Sequence, residues 1–450
     1  MDKKLLLLWC SPGFGVVDVW LPIIRKLKNS NNIKVYFVFP ESSSLRLEEK
    51  NSDLFNFAEI FADKVIYRGY SRRWFVSPTL VKARDGVDLN SFQKTMLSFS
   101  VRLSKGKVSK YFILKVIGKY ILLLFKYVAY LKENDKSQSL YDISLLKCSK
   151  GIMCDIKVEN KIANKELRTV LKNIPKFSMW HGYGGHWVVD DMLCKNSVRK
   201  RSDVVVYSMS YLETDGYKKC FGLLDKNIVH AGIPRHDSDW INFVRKKAHP
   251  IRANIFDSFV FIIGRPASSY NTPDRKKKAL KNIYDIVCSK YNLKLVVKTH
   301  PKESIYGVDG DIYADALGSK NYGKDWMYSD SHPFILGEKS IFAISFYSGV
   351  PIDLLALNKL TIEYLDLHGL DKYDNENWLR DENNVPVFPT RYANLVLGAS
   401  TKSDLEKHIK SIFNQYKETI APLHLSYKEC FSTFDGSSQM VANDICKRIG

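Results

Sequence analysis

A chain of 450 residues with 45% hydrophobic content can bury two sizeable cores, which excludes a disordered chain and favours two domains over one. Its 68 basic against 48 acidic residues give a net charge of +20, which favours anionic partners: nucleic acid, acidic lipid or phosphorylated substrates. No zinc-finger, homeodomain or RNA-recognition pattern is present, so nucleic acid is not the expected partner.

The first elements read as a βαβ unit. Leu5–Cys10 is an apolar run, Ser11 to Gly15 a glycine-containing loop, Trp20–Leu27 a helix and Ile33–Phe39 a second strand. The apolar run is too short for an export signal and passes at once into the loop, so a buried first strand is expected. With eight scattered cysteines and no C-x-x-C pair, reduced thiols in a cytoplasmic protein follow. Residues 91–136 are helical in pattern. Within them Lys110–Lys132 is long enough to span a bilayer, but Lys115, Lys119 and Lys126 interrupt it on one side of the helix. Two readings stand: a helix lying on an anionic membrane, or a largely buried helix with a solvated lysine stripe.

Further strand–helix alternation follows. Strands are expected at Gly151–Ile156, Lys176–Trp180, Val204–Ser208 and Asn227–Ala231, with a helix around Lys165–Leu171. A boundary near residue 250 divides an N-terminal domain, 1–250 with the helical insertion, from a C-terminal domain, 251–450. In the second, strands at Phe259–Ile263, Leu293–Val297, Ile341–Phe346 and Leu360–Tyr364 alternate with helices at Arg275–Lys290 and Pro351–Leu357. Helices at Ser403–Tyr416 and Gln439–Arg448 close the chain, the last able to cross back to the first domain. The fold class is therefore α/β: two Rossmann-like domains facing a central cleft.

Candidate functional residues stand at strand ends, where open α/β sheets bind ligands. Lys298-Thr299-His300-Pro301 follows one buried run, and Ser345-Phe346-Tyr347-Ser348-Gly349 follows another. An imidazolium at His300 can donate to a leaving phosphate, and hydroxyls at a helix start suit phosphate oxygens, although Ser348 also suits a plain N-cap and Lys298 a solvated charge. His181 ends a strand and is followed by Gly182, Gly184 and Gly185, which permit close approach, and then by His186 and the pair Asp190-Asp191. Arg235 and Arg265, at a strand end and a strand-following loop, suit phosphate or a sugar carboxylate. Asp237 suits a helix cap, and with Asp155 and Glu159 is a candidate carboxylate nucleophile for a retaining reaction. No His/Cys spacing indicates a metal, and no cofactor is expected.

In chain order, WHGYGG (180–185), GIPRHD (232–237), KTHP (298–301) and SFYSG (345–349) resemble the motifs of bacterial GT-B transferases that use cytidine-activated donors. The pattern is similar to that of CDP-glycerol glycerophosphotransferases, and the H-P and Ser motifs are similar to those of sialyl and Kdo transferases. The resemblance covers roughly residues 175–365. It implies that His181 is a general base on the acceptor hydroxyl, and that Arg265, Lys298, His300, Pro301, Ser345, Ser348 and Gly349 hold the donor. It implies an acceptor or phosphate role for Gly182, Gly184, Gly185, His186 and Arg235, with Asp190, Asp191 and Asp237 as further catalytic candidates. The expected function is transfer of a glycosyl or polyol-phosphate group from a cytidine nucleotide to a surface-polysaccharide acceptor, lipid-linked or oligosaccharide. The expected place is the cytoplasmic face of an anionic membrane. The alternatives are a CMP-Kdo or sialyl-type transferase and, in another class, a non-catalytic polyanion- or membrane-binding protein.

Overall fold

The computed structural model describes residues 3–10, 14–30, 32–39, 52–67, 148–156, 174–183, 204–248, 256–300, 308–370, 379–382, 384–431 and 435–450, with 303, 305 and scattered positions from 95 to 121. The chain divides into two compact units: Met1–Arg72, Lys136–Lys247 and Tyr427–Gly450 form the first, Arg73–Asp135 and Ala248–Ser426 the second.

The first unit is a seven-stranded sheet, all of its pairs parallel. Its strands are β1 (Lys4–Trp9), β2 (Ile33–Phe39), β3 (Lys64–Tyr67), β4 (Gly151–Cys154), β5 (Lys176–Ser178), β6 (Val204–Ser208) and β7 (Ile228–His230), in spatial order β3-β2-β1-β4-β5-β6-β7. β1 from Leu5 onward and β4 read as continuous apolar runs because both faces of a parallel sheet are covered. Leu7, Trp9, Val38, Ile152, Cys154 and Ile174 form one core cluster. Ile156, Trp180, Val204, Val206, Tyr217 and Leu223 form another. Helix α1 (Phe14–Lys28) lies along the sheet with Trp20 and Ile24 fully buried, and Arg25, Lys26 and Lys28 in its last turn complement the helix dipole. Helices α2 (Ser52–Phe61), α3 (Thr214–Phe221) and α4 (Ser238–Lys247) complete this part, and the C-terminal helix of the chain packs on α1.

A buried carboxylate organises the end of β6. Glu213 Oε2 accepts from Ser208 Oγ at 3.1 Å, Met209 N at 3.1 Å, Ser210 N at 3.4 Å and Tyr217 Oη at 3.0 Å. These donors are neutral, and burial pushes the carboxyl up to about 7, against the smaller opposing pull of the hydrogen bonds.

The second unit is a six-stranded parallel sheet of β8 (Phe259–Ile263), β9 (Leu295–Lys298), β10 (Trp326–Tyr328), β11 (Ser340–Ser345), β12 (Thr361–Tyr364) and β15 (Leu397–Ala399), ordered β10-β9-β8-β11-β12-β15. A short antiparallel pair, β13 (Leu379–Arg380) and β14 (Pro386–Val387), stands apart. Around the sheet lie α5 (Pro273–Tyr284), α6 (Val308–Leu317), α7 (Pro333–Lys339), α8 (Val350–Ala356), α9 (Pro389–Tyr392) and α10 (Lys402–Asn414). Phe259, Phe261, Ile263, Val296 and Ala343 pack against Leu336 of α7 and Leu354 of α8. α11 (Tyr416–Phe431) and α12 (Ser437–Arg448) follow, α12 belonging to the first unit.

Two Rossmann-like units are thus present, as the alternation of elements implies. Within each, the spatial order runs 3-2-1-4-5-6 from the unit's own first strand, the order of doubly wound nucleotide-binding sheets. Elements absent from the sequence reading are α2, β3, α6, β10, α7, β13, β14, α9, β15 and α11. α1 begins at Phe14, ahead of the expected Trp20.

The titration of Glu213 has a measurable consequence. Its folded-state value lies above the ordinary 4.5, so the folded chain holds the proton more tightly. The contribution is complete below pH 4.5 and is lost as pH rises through about 7. Glu213→Gln keeps an acceptor for the four donors and cannot ionise. Denaturant unfolding of the two proteins at pH 4.5 and 8 should show the variant losing about 2–3 kcal/mol less than the wild type between those values. Equal losses would mean that Glu213 does not titrate in this range.

Candidate functional site

In the first unit the strand order reverses between β1 and β4, and the crevice beyond their carboxyl ends is where such sheets bind ligands. Asp155 follows β4 and His181 follows β5. Pairing of these strands places Cys154 beside Ser178 and so brings the two side chains together. His181 Nδ1 is hydrogen-bonded to Asp155 Oδ2. The Asp155 side chain is fully buried and that of His181 is 35% exposed. With Nδ1–H donated to the carboxylate, Nε2 is the nitrogen able to take a proton, the arrangement of an oriented general base. α1 closes in from the other side. A Cβ on Gly15 would lie 3.0 Å from His181 Cδ2, so only glycine allows the helix start to approach the ring this closely. Trp20 Nε1 donates to Cys154 O at 3.3 Å and ties α1 to the end of β4.

Arg235, in the turn after β7, donates through Nη1 to Asp18 of α1 and through Nε to Tyr183 Oη at 2.7 Å. Its guanidinium also lies 4.8 Å from the centre of the Tyr183 ring. The arginine is therefore held in a fixed fork beside the glycine-rich loop. Asp237 has a different place. Buried, it accepts from Ser437 N at 3.0 Å, from Ser438 N at 2.8 Å and from Ser438 Oγ, so it caps the start of α12. Its backbone carbonyl also accepts from Trp240 and Ile241 of α4. Burial raises its carboxyl above the ordinary carboxylate range. Gly182 lies where a Cβ would be 3.3 Å from Trp180 Nε1. Gly184, Gly185, His186, Asp190, Asp191 and Glu159 lie outside the described residues.

In the second unit the order reverses between β8 and β11. Arg265 follows β8, and its Nε and Nη2 donate to Tyr270 Oη at 3.1 and 2.7 Å. The guanidinium lies 5.2 Å from the centre of the Tyr347 ring. Tyr347, in the turn after β11, has φ of 77° and stacks on Phe388 with centroids 4.0 Å apart. A non-glycine residue in this left-handed region is strained, a condition that collects at binding sites. Ser345 Oγ is buried without a hydrogen-bond partner, and Ser348 Oγ accepts Val350 N–H at 3.3 Å at the start of α8.

His300 follows β9, half-buried, and its backbone N–H donates to Glu303 Oε2 at 2.6 Å. Lys298 Nζ donates to Asp330 O at 2.8 Å. Gly264 N donates to Lys298 O at 2.9 Å, which joins the ends of β8 and β9. Arg265, His300 and the Ser345–Gly349 turn thus lie at or just beyond the carboxyl ends of β8, β9 and β11, while Pro301 lies outside the described residues. Among the described residues, no group of three or more His, Cys, Asp and Glu could hold a metal ion.

Sequence reasoning did not foresee Asp18, Glu303, Lys276 or the role of Asp155 as the partner of His181. The sequence reading places Asp155 inside the strand expected at Gly151–Ile156 and offers it only as a candidate nucleophile.

No family model matches the sequence, and no curated protein matches it. Solved structures match its fold. S. aureus MnaA with UDP has a TM-score of 0.51 at 10% identity, over 99% of this chain and 96% of that one. The UDP-GlcNAc 2-epimerase of Neisseria meningitidis bound to UDP-GlcNAc has 0.50 at 11%, over 99% and 100%. A variant of the wall teichoic acid polymerase TagF has 0.51 at 13%, over 99% and 89%. At such identities the likeness shows the fold: two Rossmann-like units of the GT-B type.

The close approach at Gly264 is testable. A Cβ there would lie 2.5 Å from Glu303 Oε2, 2.7 Å from Tyr313 Oη and 3.0 Å from Lys298 O. Gly264→Ala should destabilise the protein by about 1–3 kcal/mol and lower the melting midpoint in calorimetry. An unchanged midpoint would show that this packing can relax.

Proposed function

We propose that the protein is a transferase that moves a glycosyl or polyol-phosphate group from a cytidine-nucleotide donor to a surface-polysaccharide acceptor. The observation that carries the reading is the His181–Asp155 pair beside the strand-order reversal of the first unit. An imidazole oriented through Nδ1 can accept the proton of an attacking hydroxyl on Nε2. Asp155 is committed to His181 and Asp237 to the start of α12, which favours base-assisted direct attack over a covalent intermediate on either carboxylate. In the second unit Arg265, His300 and the Ser345–Gly349 turn supply a cation, an imidazole and hydroxyls for the donor phosphates. His300 then stabilises the charge that develops on the leaving nucleotide.

Cytidine is favoured by the order of the four motifs. The likeness to TagF, one of whose structures carries CDPG by its title, agrees with that choice. A uridine nucleotide is the competing donor, since MnaA and the epimerase share the fold and carry UDP and UDP-GlcNAc. A lipid-linked acceptor at an anionic membrane fits the net charge of +20. It also fits the exposure of Tyr111, Phe112, Ile113 and Tyr120, at 55%, 78%, 71% and 67%, in a lysine-rich segment. No described helix is long and apolar enough to cross a membrane.

Calorimetric titration with CMP, UDP and GDP tests the donor. CMP should bind most tightly, and His300→Ala should weaken it about tenfold or more, the scale of one hydrogen bond to a charged group. CMP binding no better than UDP, or indifferent to His300, would overturn the cytidine reading. For the base, release of CMP from CDP-glycerol or CMP-Kdo can be followed with a membrane-derived acceptor fraction. Both His181→Ala and Asp155→Asn should lower turnover about 100-fold or more while CMP affinity stays within threefold. Full turnover in either variant would remove that residue from the mechanism.

A further inference from the structure

Beneath the loop that carries His300 lies an ion pair whose two side chains are both fully buried, Lys276 of α5 and Glu303. Glu303 Oε1 accepts from Lys276 Nζ and from Tyr313 Oη of α6, the latter at 3.1 Å. Lys276 Nζ also lies 4.3 Å from the centre of the Tyr313 ring. The other oxygen, Oε2, accepts the backbone N–H of His300 at 2.6 Å, and Glu303 N–H returns a bond to His300 O at 2.9 Å. One carboxylate therefore joins the His300 backbone to α5 and α6. It lies directly against Gly264 at the end of β8, where a Cβ would come within 2.5 Å of Oε2.

A buried ion pair gains little stability over a well-packed apolar pair of the same volume, because desolvation offsets the attraction. Stability alone is thus a weak reason for this arrangement. What an apolar pair cannot do is accept the His300 N–H. We infer that Glu303 is a positioning residue for His300, fixing the His300 backbone so that its imidazole is presented to the donor phosphate. The inference deepens the proposed function and rests on it. Lys276 Nζ and Tyr313 Oη both donate to Oε1, which fixes the carboxylate in place.

Two double variants separate positioning from bulk stability. Lys276→Met/Glu303→Gln removes both charges and keeps an acceptor for the His300 N–H. Lys276→Met/Glu303→Leu removes the charges and the acceptor. Hydrogen exchange of the segment 298–303 in the full-length protein reads the loop without any ligand, and CMP titration reads its use. The glutamine pair should keep slow exchange at His300 and CMP affinity within about threefold of wild type. The leucine pair should exchange about tenfold faster there and bind CMP about tenfold more weakly, a loss that disappears when His300→Ala is added. Exchange as slow in the leucine pair as in the glutamine pair overturns the inference. So does a loss of CMP affinity that persists in full with His300→Ala, since Glu303 would then act on the unit at large. If His300→Ala alone leaves CMP affinity intact, the donor role of His300 falls, and the exchange measurement still decides whether Glu303 holds the loop. Should the double variants not fold, Tyr313→Phe removes one donor and keeps the ion pair; exchange at His300 should rise about threefold, and an unchanged rate counts against the inference.

Discussion

The geometry of both units depends on one constraint: parallel strands must be joined by crossovers, and those crossovers are right-handed. Once the chain has wound outward from its first strand on one side, it must begin again on the other. Helices then lie on opposite faces, and a crevice opens beyond the two strands where the direction changes. In this chain the first crevice lies between β1 and β4 and the second between β8 and β11. The side chains of the proposed sites are those at the ends of these strands or their immediate neighbours: Asp155, His181, Arg265, His300 and the Ser345–Gly349 turn. The topology selects their positions before any chemistry does.

Loops at strand ends create a second problem, because their backbone N–H groups leave the sheet ladder without partners. Each unit solves it with a buried glutamate. Glu213 gathers the N–H groups of Met209 and Ser210 at the end of β6, and Glu303 takes that of His300 after β9. The two differ in what else they touch. Glu303 has the ammonium of Lys276, whereas the donors to Glu213 are neutral and its carboxyl is pushed up to about 7. One glutamate is held by an ammonium and a hydroxyl, the other by neutral donors alone.

The strands that were legible in the sequence were β1, β2, β4 to β9, β11 and β12. β10 and β15, three residues each, were not, although β5 and β7 of the same length were. α11 went unread because Pro422 stands inside it and interrupts the expected helical pattern. β9 is displaced toward its carboxyl end, at Leu295–Lys298 where the apolar run suggested 293–297, because Asn292 has a turn conformation with φ of 53°. Among the candidate residues, the sequence singles out His181 and His300 because each follows an apolar run. Their partners were not. Asp155 reaches His181 only through the pairing of β4 with β5, and Lys276 reaches Glu303 only through packing of a helix on a loop. Sequence proximity encodes neither contact. The GIPRHD stretch shows the converse: it was legible as a motif, yet its Asp237 is engaged at the start of α12, far along the chain.

Tyr347 is held at φ of 77°, a conformation that glycine adopts without strain and that costs a tyrosine on the order of 1–3 kcal/mol. A population of variants selected for thermal tolerance alone would therefore drift toward glycine or asparagine at this position. Doing so would discard the ring stacked on Phe388 and the aromatic surface beside Arg265. The backbone strain at this one residue is thus offset by contacts that only a large flat ring can make, so stability at position 347 is a balance between conformation and stacking.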